Sequence, residues 1–146
     1  MTAEVLWGVV VLALSLLAWG GQALSWATPA LAQRWGLTEN EAAVEATFHA
    51  DVRGEAAWDT LTLWTMPVAA VLLIAGSPAW GYVGLIAGGM YLYFAGRGIT
   101  TRMVMQRRGI RIGSPANVRA AYALLTVWAV MAVVTLGLAV AALEST

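Results

Sequence analysis

An arginine-rich stretch from Arg97 to Ile112, RGITTRMVMQRRGIRI, holds the side chains of this chain best suited to binding an anion. It contains five of the eight basic residues, all of them arginine, and no acidic residue. Guanidinium groups bind carboxylates or phosphates through paired hydrogen bonds and stay charged when partly buried. If a helix continues through the stretch, Arg97, Arg108 and Arg111 fall within about 60° of arc, although Gly109 weakens that continuation. The simpler interpretation is a topology signal that also attracts anionic lipid, at about 1 kcal/mol per basic residue.

An acid-rich segment precedes the second apolar run and could complement these arginines. Residues 29–57 carry a net charge of −3, whereas residues 96–119 carry +6. Glu41, Glu45, His49 and Arg53 recur every four residues, which predicts one charged face of a helix. We expect salt bridges between the two segments, with a catalytic acid as the alternative. A structural role on this face is the simpler interpretation of His49, the single histidine.

Asp59 is the one acidic residue placed within an apolar run. A carboxylate inside a membrane segment is a functional candidate by default. It could equally reach water or complement a helix N-terminus. A small transporter would require Asp59 and Gln22 to face a shared cavity. The chain has no cysteine and one histidine, so no thiolate nucleophile, Cys-ligated metal or His-rich metal site is expected.

The elements that must position these groups are apolar helices. Hydrophobic residues make up 60% of the 146 residues and charged residues 11%, against roughly 25% charged in soluble domains. Four runs approach the roughly 20 residues that cross a bilayer, and backbone in lipid must be helical or form a closed barrel. We therefore predict an all-α fold, a four-helix transmembrane bundle in a single integral membrane domain covering residues 1–146. The predicted spans cover about residues 5–26, 56–75, 79–95 and 120–143.

Helix start signals support this division. A hydroxyl residue followed by Pro-Ala occurs three times, and Ser or Thr at N-cap with proline at N1 typically begins a helix. These motifs predict helix starts after Thr28, Ser77 and Ser114. Pro67 should kink the second span. Gly84 and Gly88 form a GxxxG motif, which favours close helix packing within the chain or between subunits.

The fold class also includes an amphipathic cytoplasmic extension before the second span. Thr38 and Glu41 are spaced as a capping box, which predicts a helix from about Glu39. After it, apolar residues recur every four positions, at Val44, Phe48 and Val52. We expect this stripe to pack on the bundle.

Arginine placement predicts the topology. Both connecting segments that carry arginine, residues 29–55 and 97–119, lie on the same side of a four-span protein. The positive-inside rule makes that side cytoplasmic. We predict a multi-pass inner-membrane protein with both termini outside.

The stretch from Tyr93 to Leu125 resembles the MAPEG family, the membrane-associated proteins in eicosanoid and glutathione metabolism. Ile110-Arg111-Ile112 is similar to a Leu-Arg-Leu motif of the leukotriene-synthase branch, and Arg97 to the arginine that ends an aromatic-rich segment. Residues 45–57, EATFHADVRGEAA, more loosely resemble the motif of the family's second span. The resemblance implies a four-helix bundle assembled as a homotrimer, with glutathione between neighbouring subunits at the cytoplasmic side.

The resemblance also implies roles for individual residues. Arg111 would be catalytic, because it would hydrogen-bond the glutathione sulfur and favour the thiolate. Arg97 and Arg53 would bind the carboxylates of glutathione, and a lipophilic substrate would enter along a groove near Trp128. Further contacts to the cofactor are assigned to His49, Glu55, Tyr93, Arg102 and Arg107.

The leading functional hypothesis is therefore a glutathione-dependent transferase or peroxidase that acts on lipophilic small molecules. The alternative is a non-catalytic accessory subunit of a larger membrane complex, which the absent cysteine and the small-residue helix faces would suit. A small transporter is the third hypothesis. The expected partners are the lipid bilayer, a lipophilic small molecule and further copies of the chain, and no nucleic acid.

Overall fold

A computed structural model of the protein describes residues 2–145, and these residues form six α-helices and no strand. The fold is therefore all-α, as predicted. The helices are α1 (Ala3–Ala27), α2 (Pro29–Arg34), α3 (Ala46–Thr62), α4 (Thr65–Ile74), α5 (Trp80–Arg107) and α6 (Pro115–Glu144). A short 3₁₀ turn, Glu41–Ala43, precedes α3.

Three helical segments are long and apolar enough to cross a membrane. They are α1, the joined α3 and α4 over Ala46–Ile74, and α6. The segment predicted as a span over residues 79–95 lies in α5, but α5 does not end there. It continues for three further turns to Arg107 and carries the first arginines of the basic stretch.

The second apolar segment is interrupted between α3 and α4. Pro67 has no N–H, so the carbonyl of Leu63 loses its i+4 partner and the helix breaks one turn before the proline. Instead, the Met66 N–H donates to the Leu63 carbonyl at 3.3 Å. The interruption at Leu63 and Trp64 lies at the point where Pro67 was expected to kink the span.

Close approach of α5 to α6 depends on a glycine face. A Cβ on Gly88 would lie 2.7 Å from the Leu136 side chain, and one on Gly84 would lie 3.3 Å from the Ala139 Cβ. The GxxxG motif therefore packs helices within the chain. Gly137 of α6 does not contribute to this helix contact, because a Cβ there would meet nothing within 4 Å.

Aromatic side chains link one helix to another through hydrogen bonds to backbone carbonyls. Tyr91 of α5 donates to the Ser15 carbonyl at 3.1 Å, and Trp128 of α6 donates to the Leu14 carbonyl at 3.0 Å. Trp19 of α1 donates to the Thr60 carbonyl at 3.0 Å. The Phe94 ring contacts Tyr91 edge-on and Trp128 at a tilt.

Two pairs of helices touch only sparsely, α1 with α6 and α3 with α5. α1 packs against α3 and α4, α4 packs against α5, and α5 packs along most of α6. α6 and α1 touch only sparsely. The bundle is therefore open between α1 and α6, on the side that Trp128 faces.

Two predicted helix starts are confirmed. Thr28 is the N-cap of α2 with Pro29 at N1, and the Ser114 hydroxyl accepts a hydrogen bond from the Asn117 N–H at the start of α6. The start predicted at Ser77 is displaced, because α5 begins at Trp80 after one further turn.

The amphipathic extension begins later than predicted. Asn40, not Thr38, caps the 3₁₀ turn, and α3 starts only at Ala46. The chain is held extended at Glu45, whose N–H donates to the Arg111 carbonyl at 2.9 Å while its side chain accepts from the Arg111 N–H at 2.8 Å. The apolar stripe does pack as expected, since Val44 and Phe48 are buried against Ile112.

Candidate functional site

An ion-pair cluster joins α3 to α5 near the basic end of the bundle. Asp51 and Glu55 lie one turn apart on α3, so both face the same side. Arg97 of α5 reaches both, with Nη2 2.6 Å from Asp51 Oδ1 and Nη1 2.8 Å from Glu55 Oε1. The salt bridges expected between the two connecting segments thus centre on Arg97.

Asp59 extends this acidic face by one further turn. It is only 4% exposed, and its Oδ2 atom has no hydrogen-bond partner among the described residues. Asp51, Glu55 and Asp59 recur every four residues, a spacing that could have identified them as one face from the sequence. The register of Glu41 and Glu45 predicted a different charged face of this helix, one that does not include Asp51 and Asp59.

Arg102 covers the opposite side of Glu55. Its guanidinium lies over the Phe48 ring, 5.6 Å from the ring centroid, and donates to the Gly98 carbonyl at 3.0 Å. A stacked arginine keeps its charge and its outward donors. Arg102 therefore adds a positive charge at the wall of the gap between α1 and α6.

The gap between α1 and α6 contains a cleft of about 220 Å³. Apolar side chains that include Leu17, Leu125 and Trp128 line it, together with the charged side chains of Glu55 and Arg102. A second space of about 180 Å³ continues it towards Ile112 and shares several of its lining residues. This cleft lies beside Trp128, where the substrate groove was expected, and both apolar and charged side chains line it.

A basic hollow of about 520 Å³ lies between the end of α5 and the start of α6. Arg111 and Arg119 line it, together with Tyr122, whose hydroxyl donates to Gln106 at 2.7 Å. Ile112 and Val118 are shared by this hollow and the space that leads to the cleft. A basic rim and an apolar cleft thus follow one another along α6.

A further cavity of about 310 Å³ lies between α3 and α5, on the outer side of the ion-pair cluster. Glu55 and Phe94 also line the cleft on the other side, so these two side chains separate the two spaces. The complete wall of this cavity is formed by Gly54, Glu55, Trp58, Asp59, Tyr93, Phe94 and Arg97.

The residues assigned to glutathione do not form a single site within one chain. Gly109 adopts φ +76° and ends α5, so Arg108 and Arg111 do not continue the helical face of Arg97. A helix rises 1.5 Å per residue, which places Arg107 about 15 Å from Arg97 along α5. Arg107 and Arg111 are exposed at the rim, whereas Arg97 belongs to the inner cluster.

Two of the predicted carboxylate-binding residues are engaged by the protein itself. Arg97 is shared by Asp51 and Glu55, as described above. Arg53 donates to the carbonyls of Ser25 and Trp26 and so closes the C-terminal end of α1. His49 lies 4.0 Å from Glu41 rather than pairing with Glu45. Of the predicted anion-binding set, Arg102, Arg107 and Arg111 form no ion pair within residues 2–145.

Carboxylates and histidine do not converge on a metal site in the described part of the chain. The chemistry available is therefore that of arginines at a polar rim, of an apolar cleft beside them, and of a buried carboxylate face. Comparisons with protein families, with curated proteins and with solved structures find no match to this chain.

Proposed function

We propose that this chain is a four-span inner-membrane protein of the MAPEG kind, in which a lipophilic substrate in the cleft meets an anionic thiol, glutathione, at the basic rim. The proposed topology counts α5 as a span in addition to the three apolar segments. It places α2, the 3₁₀ turn and the α5–α6 connection in the cytoplasm. It is supported by the order of the helices, in which α5 lies between the second and the third apolar segment. It is also supported by the arginines, which then fall on one side only. The proposed assembly is the homotrimer that the resemblance implies.

The observation that carries the proposal is the sequence of spaces along α6. The basic hollow at Arg111 and Arg119 shares Ile112 and Val118 with the space that opens into the cleft at Trp128. A charged cosubstrate and an apolar substrate would therefore bind next to one another, each in a matching environment. Holding two reactants side by side removes much of the entropic cost of their encounter.

Glutathione would supply the thiolate nucleophile. Arg111 would stabilise its negative charge, and Arg119 would bind a carboxylate in place of Arg97, which the cluster already uses. The cleft would orient the electrophile from the membrane side and exclude water from its apolar part. Arg102, in the wall of the cleft, would stabilise negative charge that develops on the electrophile.

Conjugation of glutathione with 1-chloro-2,4-dinitrobenzene by purified protein tests this proposal. The glutathione thiolate sulfur forms a bond to the ring carbon that carries chlorine, and chloride leaves. We expect Arg111→Ala to lower kcat/KM roughly 10- to 100-fold, because it removes a charge-stabilising donor. Absence of activity and of glutathione binding in the wild type would refute the proposed enzymatic function. Stoichiometric co-purification with other chains would then support an accessory subunit.

A matched glycine pair tests the cleft separately. Gly21 lines the cleft and Gly20 does not, and a Cβ on either would meet nothing within 4 Å. We expect Gly21→Phe to raise the KM for the electrophile, because its ring fills the cleft. Gly20→Phe should leave KM unchanged, and equal effects of the two substitutions would contradict the assignment of the cleft.

A further inference from the structure

The cavity between α3 and α5 has the lining of a site for an organic cation. Two carboxylates of α3, Glu55 and Asp59, line it, whereas Arg97 is the one cation in its wall. Arg97 is already shared by Asp51 and Glu55. Asp59 is therefore the carboxylate of this wall that pairs with no arginine among the described residues.

Asp59 supplies the second, independent observation. It is 96% buried, it lines the cavity, and its Oδ2 atom has no donor among residues 2–145. A buried polar atom without a partner costs free energy, and a buried charge costs more. A ligand that brings an N–H donor with a positive charge would satisfy both needs.

Aromatic rings form the outer part of the same cavity. Trp58 precedes Asp59 and is 60% exposed, and Tyr93 of α5 is 62% exposed. Phe94 closes the inner side. Aromatic faces attract cations through their quadrupole, and tryptophan does so most strongly. Large exposed rings beside an unpaired carboxylate therefore favour an organic ammonium group.

A metal ion fits this wall less well. Asp51 and Glu55 are committed to Arg97, and the described residues contain no group of three acidic or histidine side chains that could hold a metal ion. An isolated carboxylate with aromatic walls lacks the six or more oxygen ligands that calcium takes. An N–H cation needs only one strong acceptor and apolar surroundings.

We propose that the cavity between α3 and α5 binds a primary or secondary ammonium group, with Asp59 as its hydrogen-bond partner and Trp58 and Tyr93 as its aromatic wall. The site is separate from the cleft between α1 and α6 and does not depend on glutathione chemistry. The ammonium could belong to a soluble amine or to a phosphatidylethanolamine headgroup. Both present the same N–H donors to Asp59.

Titration calorimetry with benzylammonium, on protein in a neutral detergent, tests the site. We expect saturable binding to the wild type, and binding weakened roughly 10- to 100-fold by Asp59→Asn, since a hydrogen bond between charged groups is lost. Glu4→Gln, an exposed change on α1, should leave the affinity unchanged. Absence of binding to the wild type, or equal binding to Asp59→Asn, would overturn the proposal.

Two comparisons guard against a variant that simply folds poorly. Benzyltrimethylammonium carries the same charge and ring as benzylammonium but no N–H, so it should bind the wild type more weakly; equal affinity would remove the role of Asp59 as acceptor. Trp58→Leu, at an exposed position, should weaken benzylammonium roughly two- to fivefold through the lost cation–π contact. Gly21→Phe should leave this binding intact, which separates the site from the cleft.

Nanodiscs distinguish the two sources of the ammonium. In phosphatidylcholine discs the protein should bind benzylammonium. If added phosphatidylethanolamine competes with the probe, the occupant is the lipid headgroup; if it does not, the occupant is a soluble amine. Failure of benzylammonium to bind in phosphatidylcholine discs would contradict the site.

Discussion

Replacement of Arg97 by glutamine should destabilise the protein more than any other loss of a single arginine. The substitution leaves Glu55, which is 8% exposed, without its ion-pair partner at 2.8 Å. Breaking a buried ion pair by removing one partner costs roughly 3–5 kcal/mol. The Arg97 side chain is 29% exposed and Arg102 lies near Glu55, so we place the loss at the lower end, about 3 kcal/mol.

The assay is equilibrium unfolding in mixed micelles of sodium dodecyl sulfate and a neutral detergent, followed by circular dichroism. Arg107→Gln is the control, because Arg107 is exposed on the same helix and forms no ion pair within the described chain. The double variant Arg97→Gln/Glu55→Gln should recover much of the loss, since the more buried partner of Arg97 becomes neutral and Asp51, whose side chain is 25% exposed, can be solvated. If Arg97→Gln and Arg107→Gln unfold alike, or if the second substitution restores nothing, the reasoning about the cluster is wrong.

Three further measurements test other parts of the structure. Gly88→Ala should lower the free energy of unfolding by about 1–3 kcal/mol through overpacking against α6, whereas Gly89→Ala, which meets nothing within 4 Å, should raise it by about 0.5–1 kcal/mol; equal effects would contradict the close approach of the two helices. Arg53→Ala should speed proteolysis at the end of α1 because two carbonyls lose their donor, and an unchanged cleavage pattern would count against that cap. Single cysteines at Thr47 and Arg107 should both react with a membrane-impermeant maleimide from the cytoplasmic face only, and labelling from opposite faces would refute the proposed topology.

Strong local signals made parts of the fold predictable from the sequence. Ser114 with Pro115 begins α6, and Pro67 accompanies the break after α3, because both effects depend on neighbouring backbone groups alone. The start of α3 was not predictable in this way. The backbone link between Glu45 and Arg111 joins residues that are 66 positions apart, and it overrides the capping box that begins at Thr38.

The candidate site shows the same division between local and distant information. The four-residue spacing of Asp51, Glu55 and Asp59 lies in the sequence and predicts one acidic face. Which of these carboxylates pairs with Arg97 depends on how α3 crosses α5, and no local pattern contains that. Arg111 belongs to the same basic stretch of sequence as Arg97, but its separation from Arg97 follows from the end of α5 at Gly109.

The interruption at Leu63 and Trp64 also has a mechanical meaning. It divides one apolar segment into a charged half, tied to α5 by Arg97, and an uncharged half held between α1 and α5. Because the joint lacks one helical hydrogen bond, bending the segment there costs less than bending it within α3 or α4. A ligand bound between α3 and α5 would therefore displace α3 more than α4, α5 or α6.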